Sequence, residues 1–353
     1  GGGGGYGDRK RWAGEREWEG RSSGYMERDR GYRPARGRGR GGGGGSSRAG
    51  EAWGDEWGSP SRYDDDGEYE EDEYKVAPLR DRLKGNAVWG VEPVRAALLS
   101  GRRTIHGLYV QEGMTASGAG KSKGAKMAEW ATKRAIALDA PVQRVSKQEL
   151  NLITENRPHQ GVILDTSDLD FVQIAKLPPA EEQPEATLWL ALDEVKDPQN
   201  FGAVLRSAHF LGAAGVVTCW RNSAPLSAVV SKASAGAMES MEVHACKSMP
   251  AFLSACTEGG WDVVGAAGGD GSTPCSDLGP LSRPTVLVLG SEGFGLRATV
   301  LQRCVNGTVT VPGGGALLDS LNVSVAAGVL LYALLPPKGS GPAPSTATST
   351  HEE

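Results

Sequence analysis

The sequence has no pair of cysteines at the spacing of a metal site. Its five cysteines are scattered over 353 residues, and none belongs to a Cys-x-x-Cys pair. This usage argues against a zinc site or a disulfide scaffold, and it fits a reducing compartment. No apolar stretch long enough to span a membrane precedes the last predicted helix, and the apolar run at 323–335 is too short. No membrane partner is therefore expected.

Two common nucleotide-binding motifs are also missing. The chain contains no Gly-x-x-x-x-Gly-Lys-[Ser/Thr] loop. The glycines of residues 290–295 do not follow the Gly-x-Gly-x-x-Gly spacing, and they lie late in their domain rather than after its first strand. The sequence therefore supports neither ATP nor NAD binding.

Both ends of the chain have biased composition. Glycine is in excess at 51 residues, and most of the excess lies in an arginine-rich N-terminal segment with interleaved aromatics. Residues 1–80, Gly/Arg-rich and then acidic, and residues 337–353 are predicted to be disordered tails. The first tail fits single-stranded nucleic-acid binding and equally fits a flexible, non-essential segment. The chain does not begin with Met, as expected of a fragment or a processed form, so a targeting peptide would not be visible.

Two α/β domains are predicted between the tails. Residues 83–166 alternate short strands and helices, and residues 167–186, with Asp, Pro and Glu, are predicted to be a linker. Residues 187–336 repeat strand–helix units, including one helix over 228–237, which predicts a mostly parallel sheet covered on both faces. The first domain carries a candidate phosphate-binding patch, although ordinary surface residues explain it as well. Its members are Arg102, Arg103, Lys121, Lys123, Lys126, Lys133 and Arg134.

Three loops of the second domain combine glycines with polar side chains. They are residues 193–202, which lead to Arg206, residues 287–296, and residues 310–322. Ligands of open α/β sheets bind beyond the carboxyl ends of the strands, where such loops lie. The polar start of the last helix suits capping or ligand binding by free backbone N–H groups. The pattern alone indicates a small ligand bound largely by backbone groups.

The three loops resemble the motifs of the SpoU (TrmH-like) RNA 2′-O-methyltransferases of the SPOUT superfamily. Asn200 through Arg206 resembles motif 1, Leu287 through Leu296 resembles motif 2, and Ser320 through Ala326 resembles motif 3. Each motif is moderately specific, whereas all three in this order and spacing are a strong signal. The resemblance covers residues 83–336. It implies an α/β SPOUT catalytic domain with a parallel sheet and a C-terminal trefoil knot, preceded by a small L30e-like RNA substrate-binding domain.

The resemblance also implies a reaction and its partners. The expected reaction transfers a methyl group from S-adenosylmethionine, without a metal, to the ribose 2′-hydroxyl of a guanosine in organellar large-subunit rRNA. A homodimer with the active site at its interface is implied. Residues 206–212 and 231–239 are similar to mitochondrial and bacterial rRNA-modifying members, which implies a mitochondrion, with a plastid as the alternative. A tRNA substrate and a non-enzymatic RNA-binding ribosome-assembly factor are the alternative functions.

Five residues match the family's catalytic positions. Arg206 is implied to lie at the 2′-hydroxyl as a proton acceptor, but an arginine stays protonated in proteins. A role in orienting the hydroxyl or an adjacent phosphate is therefore preferred. Asn200 is expected to shape the site and is also a candidate N-cap, and Glu292 is expected to pair with Arg206. Ser320 and Asn322 are implied to lie near the target ribose.

Five further residues are candidates for the methyl-donor pocket. Gly290, Val311 and Leu321 match positions where the family lays backbone groups against the adenosyl moiety. Glycine permits close approach of a ligand to the backbone. Val311 and Leu321 suit an adenine ring, although plain core packing explains them too. Ala266 and Gly268 follow a strand end and are expected to line the same pocket.

Overall fold

The computed structural model describes residues 78–114, 123–313 and 320–336. The predicted tails lie outside the described residues except for residues 78–80, and Lys121 lies outside them as well. The side chain of Leu79 is buried in the core of the first domain, so this residue of the predicted tail belongs to the folded domain. No helix within the described part of the chain is long and apolar enough to cross a membrane.

The first domain is a four-stranded mixed sheet with helices on both faces. Its elements are α1 (Leu79–Arg82), β1 (Asn86–Trp89), α2 (Val91–Ser100), β2 (Ile105–Gln111), α3 (Lys123–Ala137), β3 (Val142–Val145), α4 (Lys147–Thr154) and β4 (Val162–Thr166). The strand order is β1-β4-β2-β3, in which only β2 and β3 run parallel. Helices α2 and α3 pack on one face, and α1 and α4 pack on the other.

The second domain is built from eight strands and seven α-helices within the described residues. Its first half consists of β5 (Val172–Gln173), a 3₁₀ turn (Ala180–Glu182), β6 (Leu188–Leu192), α5 (Pro198–Leu211), β7 (Gly215–Cys219), α6 (Ala228–Ala233), α7 (Ala237–Ser240) and β8 (Val243–Cys246). Its second half consists of α8 (Met249–Glu258), β9 (Asp262–Ala266), β10 (Thr273–Pro274), α9 (Cys275–Leu278), β11 (Thr285–Leu289), α10 (Ala298–Leu301), β12 (Thr308–Thr310) and α11 (Val323–Leu334).

These eight strands form one parallel sheet in the order β10-β12-β9-β11-β6-β7-β8-β5. The central strand β6 is apolar on both faces because helices cover both. Leu188, Leu190 and Leu192 pack towards α5 and α11, and Ala191 packs towards α8 and α10. The prediction of a parallel sheet with helices on both faces is confirmed.

Two segments differ from their prediction because they contact parts of the chain that are distant in sequence. The linker contributes β5, which pairs with β8 and extends the sheet. The single helix predicted over 228–237 is broken into α6 and α7 at Ala235 and Gly236, which have φ of 51° and 87°. A Cβ on Gly236 would lie 2.7 Å from Ala96 Cβ in α2, so glycine allows the two domains to approach closely here.

Helix α11 has one buried face and one exposed face. Val323, Ala327 and Leu331 face the core. On the other side an apolar stripe, formed by Val325, Val329 and Tyr332, is exposed at 50%, 38% and 79%. Residues spaced by four and three positions share a helix face, so the stripe is continuous.

A buried ion pair joins the two domains. Arg103 Nε and Nη2 donate to the two carboxylate oxygens of Glu239 in α7, at 2.6 and 3.0 Å, and both side chains are almost fully buried. Ser231 Oγ donates to the same carboxylate at 2.7 Å. The preceding Arg102 donates to the carbonyl oxygens of Met238 and Met241. Two members of the predicted phosphate-binding patch are thus structural, because their guanidinium groups hold the domain interface.

We predict that Arg103→Met lowers the free energy of unfolding by about 3–5 kcal/mol, because the Glu239 carboxylate would stay buried without its counter-ion. The matched control is Lys133→Met, which breaks the exposed Lys133–Glu129 pair and should cost below about 1 kcal/mol. Urea unfolding of both variants measures the difference, and equal losses would show that the Arg103–Glu239 pair does not hold the interface.

Candidate functional site

One predicted residue from each of the three motif loops joins a single hydrogen-bonded chain. Asn200 Nδ2 donates to Glu292 Oε1 at 2.8 Å, and Asn322 Nδ2 donates to Asn200 Oδ1 at 3.0 Å. Asn322 Oδ1 in turn accepts from the backbone N–H of Ser324 at 2.9 Å, which caps α11. The structure therefore brings one polar residue of each motif to one place.

The carboxylate of Glu292 sets the orientation of both asparagine amides. An ionised carboxylate only accepts hydrogen bonds, so Asn200 must present its NH₂ group to Glu292 and its oxygen to Asn322. Asn322 then presents its NH₂ group to Asn200 and its oxygen to the start of α11. Each amide has a single orientation that satisfies this chain.

The start of α5 explains why the Asn200 side chain is available for this chain. The helix begins at Pro198, and the side chain of Asp197 caps it by accepting from the Gln199 N–H at 3.0 Å. The prediction that Asn200 is an N-cap is wrong, because the helix begins earlier. Asn200 lies in the first turn, where its side chain projects towards the motif 2 loop.

A tight turn presents Glu292. The backbone groups of Ser291 and Gly295 exchange two hydrogen bonds of 3.0 Å, and Gly295 has φ of 64°. A Cβ on Gly290 would lie 2.1 Å from the carbonyl carbon of Gly295. Gly290 is therefore required for the return of its own loop, whether or not a ligand also lies against it.

An ion pair that the sequence analysis missed anchors the motif 2 loop. The carboxylate of Asp193, buried at the end of β6, accepts from Arg297 Nε at 3.0 Å and from Nη2 at 2.5 Å. This hydrogen bonding raises the pKa of Arg297. Arg297 Nη1 also lies 3.2 Å from Glu194 Oε1. The signal in the sequence was an aspartate ending a fully apolar strand, where burial demands a partner.

Arg206 does not pair with Glu292 within one chain. Arg206 is six residues beyond Asn200, which corresponds to roughly 9 Å along the helix axis and roughly 240° around it. Its exposed side chain lines a cleft between α5 and α2 of the first domain. Among the described residues, Arg206 makes no hydrogen bond or ion pair, and Glu292 accepts from Asn200 instead.

Four of the five candidate donor-pocket residues lie at or shortly after the ends of neighbouring strands, and Leu321 lies just before α11. Ala266 ends β9, Gly290 follows β11, and Val311 follows β12, and these three strands are adjacent in the sheet. Gly268 follows β9 with open space where a Cβ would lie, and Leu321 is exposed at 50%. These five residues offer backbone and apolar groups but no charge, which fits an adenosyl moiety. The side chain of Val311 also packs against the core, as its alternative interpretation expected.

Ser320 is exposed two residues before the Asn322 cap. Of the glycine loop before it, Gly313 is described, whereas residues 314–319 lie outside the described residues. Ser320 is thus close in sequence to the hydrogen-bonded chain but has no side-chain hydrogen bond within the part of the chain that the structure describes.

The cysteines offer no activated nucleophile. All five are buried free thiols. Burial raises the pKa of Cys246 to about 12 and the pKa values of Cys256 and Cys304 to about 11, so these thiols stay protonated at neutral pH. Within residues 78–114, 123–313 and 320–336, no three His, Cys, Asp or Glu side chains converge as a metal site would require.

Comparison with known proteins identifies the family. The model of the SpoU rRNA Methylase family matches residues 187–332, and that of RNA 2′-O ribose methyltransferase substrate binding matches residues 87–172. The human protein named rRNA methyltransferase 1, mitochondrial, is 39% identical over 264 residues, covering 70% of this chain and 71% of that protein. The chain belongs to the SpoU rRNA methylase family.

Two further relatives of this SpoU-family chain are informative. The Dictyostelium discoideum protein of the same name is 38% identical over 231 residues, which are 58% of this chain and only 43% of that protein. The AdoMet-bound rRNA methyltransferase from Sinorhizobium meliloti superposes with a TM-score of 0.54 at 22% identity, covering 72% of this chain and 88% of that one. The structural match shows the same fold.

We predict that Gly290→Ala destabilises the SpoU-family domain by about 1–3 kcal/mol, because the added methyl group overlaps the backbone of Gly295. Gly293→Ala is the control in the same loop, because a Cβ there meets nothing within 4 Å and should change the unfolding free energy little. Thermal unfolding of both variants compares them. If Gly290→Ala is as stable as Gly293→Ala, the close approach at Gly290 is not required.

Proposed function

We propose that this chain transfers a methyl group from S-adenosylmethionine to the ribose 2′-hydroxyl of a guanosine in mitochondrial large-subunit rRNA. The observation that carries the proposal is the Glu292–Asn200–Asn322 chain, which joins the three motifs of the SpoU family beside the ends of β9, β11 and β12. The names of the human and Dictyostelium relatives support rRNA as the substrate and the mitochondrion as the location.

In this proposal the donor lies against backbone and apolar groups at the strand ends. Ala266, Gly268, Gly290, Val311 and Leu321 are the residues that would hold it. When bound, S-adenosylmethionine supplies an electrophilic methyl group on a sulfonium. The trefoil knot that the family resemblance implies is part of the same proposal, since such a knot would shape this pocket.

The polar residues have separate roles in the proposed reaction. Asn200, Glu292 and Asn322 hold the three loops together through their hydrogen bonds. Ser320 lies beside them in sequence and contacts the target ribose. Arg206 donates to the 2′-hydroxyl or its neighbouring phosphate and stabilises the negative charge that develops on the oxygen. Because a guanidinium stays protonated, Arg206 acts through hydrogen bonds and charge rather than by taking the proton. As the hydroxyl oxygen bonds to the methyl carbon, the S–CH₃ bond breaks to leave neutral S-adenosylhomocysteine, and the hydroxyl proton passes to solvent water.

A homodimer completes the proposed site. The apolar stripe of Val325, Val329 and Tyr332 is the kind of surface that a second copy would cover. Within one chain, Arg206 lies on a different part of α5 from Asn200, as expected if the site is assembled across a subunit interface. Light scattering tests this, and a monomer mass at working concentrations would contradict it.

We predict that Arg206→Ala lowers the rate of methyl transfer to an rRNA fragment by at least about 100-fold, a typical effect of removing one donor to a developing oxyanion. Its affinity for S-adenosylmethionine should not change, because Arg206 is not among the strand-end residues. Incorporation of labelled methyl groups and calorimetry measure the two quantities.

The matched control is Arg303→Ala. Arg303 is an exposed arginine beside Cys304, which packs on the opposite face of the sheet from α5. Wild-type activity of Arg206→Ala, or an equal loss in Arg303→Ala, would contradict the role of Arg206. A wild-type protein that binds the donor but methylates no large-subunit rRNA would contradict the proposed function itself.

A further inference from the structure

A cleft of about 490 Å³ lies between the two domains, away from the Glu292–Asn200–Asn322 chain. One wall is a single face of α2, carrying Glu92, Arg95 and Leu99, and the other is the part of α5 that carries Arg206. The volume falls within the range of small-ligand sites, roughly 300–1,000 Å³. The cleft is therefore large enough for a segment of a ligand and joins the first domain to Arg206.

The charges of the cleft are predominantly positive. Arg95, Arg102 and Arg206 line it, with Glu92 as the acidic side chain and His209 as a further titratable one. Arg95 and Arg206 are exposed, and within the described residues neither makes a hydrogen bond or an ion pair. Guanidinium groups match phosphate oxygens with paired hydrogen bonds. Two uncommitted guanidinium groups from two domains therefore face the same cleft.

Apolar surface accompanies these charges. Leu99 is exposed at 54% on the α2 wall, and Phe210 is exposed at 77% next to His209 on α5. A purely ionic site would not need such surface. Arginines combined with an aromatic ring are the groups that bind single-stranded nucleic acid, through its backbone and its bases.

Contacts between the two domains lie next to the cleft. Arg102 is held by the carbonyl oxygens of Met238 and Met241, and the next residue, Arg103, forms the buried pair with Glu239. Gly236 lets α2 approach at the floor of the cleft. This buried, bidentate pair and the close approach at Gly236 join the two domains next to the cleft.

We propose that this interdomain cleft binds the backbone of the RNA strand next to the target nucleotide, with Arg95 and Arg206 contacting phosphates from opposite walls. The proposal rests on the proposed function and adds Arg95 as an RNA-positioning residue of the first domain. Phosphate contacts fix the position of a strand without reading its sequence. The cleft would thus deliver the strand to the site, and base selection would occur elsewhere.

The test measures binding of a fluorescent single-stranded fragment of large-subunit rRNA to the full chain over a series of salt concentrations. Arg95→Glu should weaken binding by about 10- to 100-fold, as expected when a charge-assisted hydrogen bond is removed. The slope of log K against log salt should fall by about 0.7 for each phosphate that the variant no longer neutralises. A merely structural role of Arg95 would leave this slope unchanged.

Two further variants make the test decisive. Leu99→Glu adds a carboxylate to the exposed cleft wall without removing a polar contact, and it should also weaken RNA binding. Arg303→Glu makes the same charge change as Arg95→Glu on the opposite face of the catalytic sheet and should have a much smaller effect. Affinity for S-adenosylmethionine should stay at the wild-type value in all three, which verifies that each variant is folded.

The outcomes separate this proposal from the proposed function. If the wild type methylates rRNA while Arg95→Glu and Leu99→Glu bind it with unchanged affinity and salt slope, the cleft proposal is overturned and the function stands. Equal weakening by Arg303→Glu would also overturn it, since the effect would then be one of net charge. If the wild type neither binds nor methylates rRNA, the proposed function fails and the cleft proposal fails with it.

Discussion

The acceptor-only chemistry of one carboxylate sets the geometry of the candidate site. Glu292 accepts from Asn200, and this contact fixes the orientation of Asn200 and then of Asn322, residues that lie 92 and 122 positions away from their partners along the chain. Exposed hydrogen bonds of this kind contribute little to stability, about 1 kcal/mol each. Their importance is geometric, because they hold three loops together at adjacent strand ends. The buried Asp193–Arg297 pair anchors the C-terminal end of the same loop to the end of β6.

Features that depend on local patterns could be predicted from the sequence. The strand–helix repeats of residues 187–336 predicted a mostly parallel sheet covered on both faces, and the structure has this sheet, with the apolar strand β6 in its middle. The polar start of the last helix predicted a cap, and Asn322 provides it. The glycines and polar side chains of residues 287–296 predicted a loop beyond a strand end, and this loop follows β11. In each case the feature is determined by the properties of neighbouring residues in the sequence.

Features that depend on long-range packing could not be predicted. The break between α6 and α7 occurs where Gly236 meets α2 of the other domain, and nothing near 236 specifies that contact. Composition could not distinguish Arg103, which is buried against Glu239, from exposed arginines such as Arg95. The expected pairing of Glu292 with Arg206 is not made within one chain, because Arg206 and Asn200 lie at different positions around α5, which a motif does not give.

The two domains meet along the interdomain cleft. The buried pair fixes the first domain against α7, the cleft runs between α2 and α5, and α5 carries both Arg206 and Asn200. The central claim is that this arrangement methylates ribose in large-subunit rRNA of the mitochondrion. Mapping ribose methylation in mitochondrial RNA with and without the gene tests it most directly. We expect loss of 2′-O-methylation at a guanosine of the large-subunit rRNA, whereas an unchanged rRNA map, or loss confined to tRNA, would contradict the account.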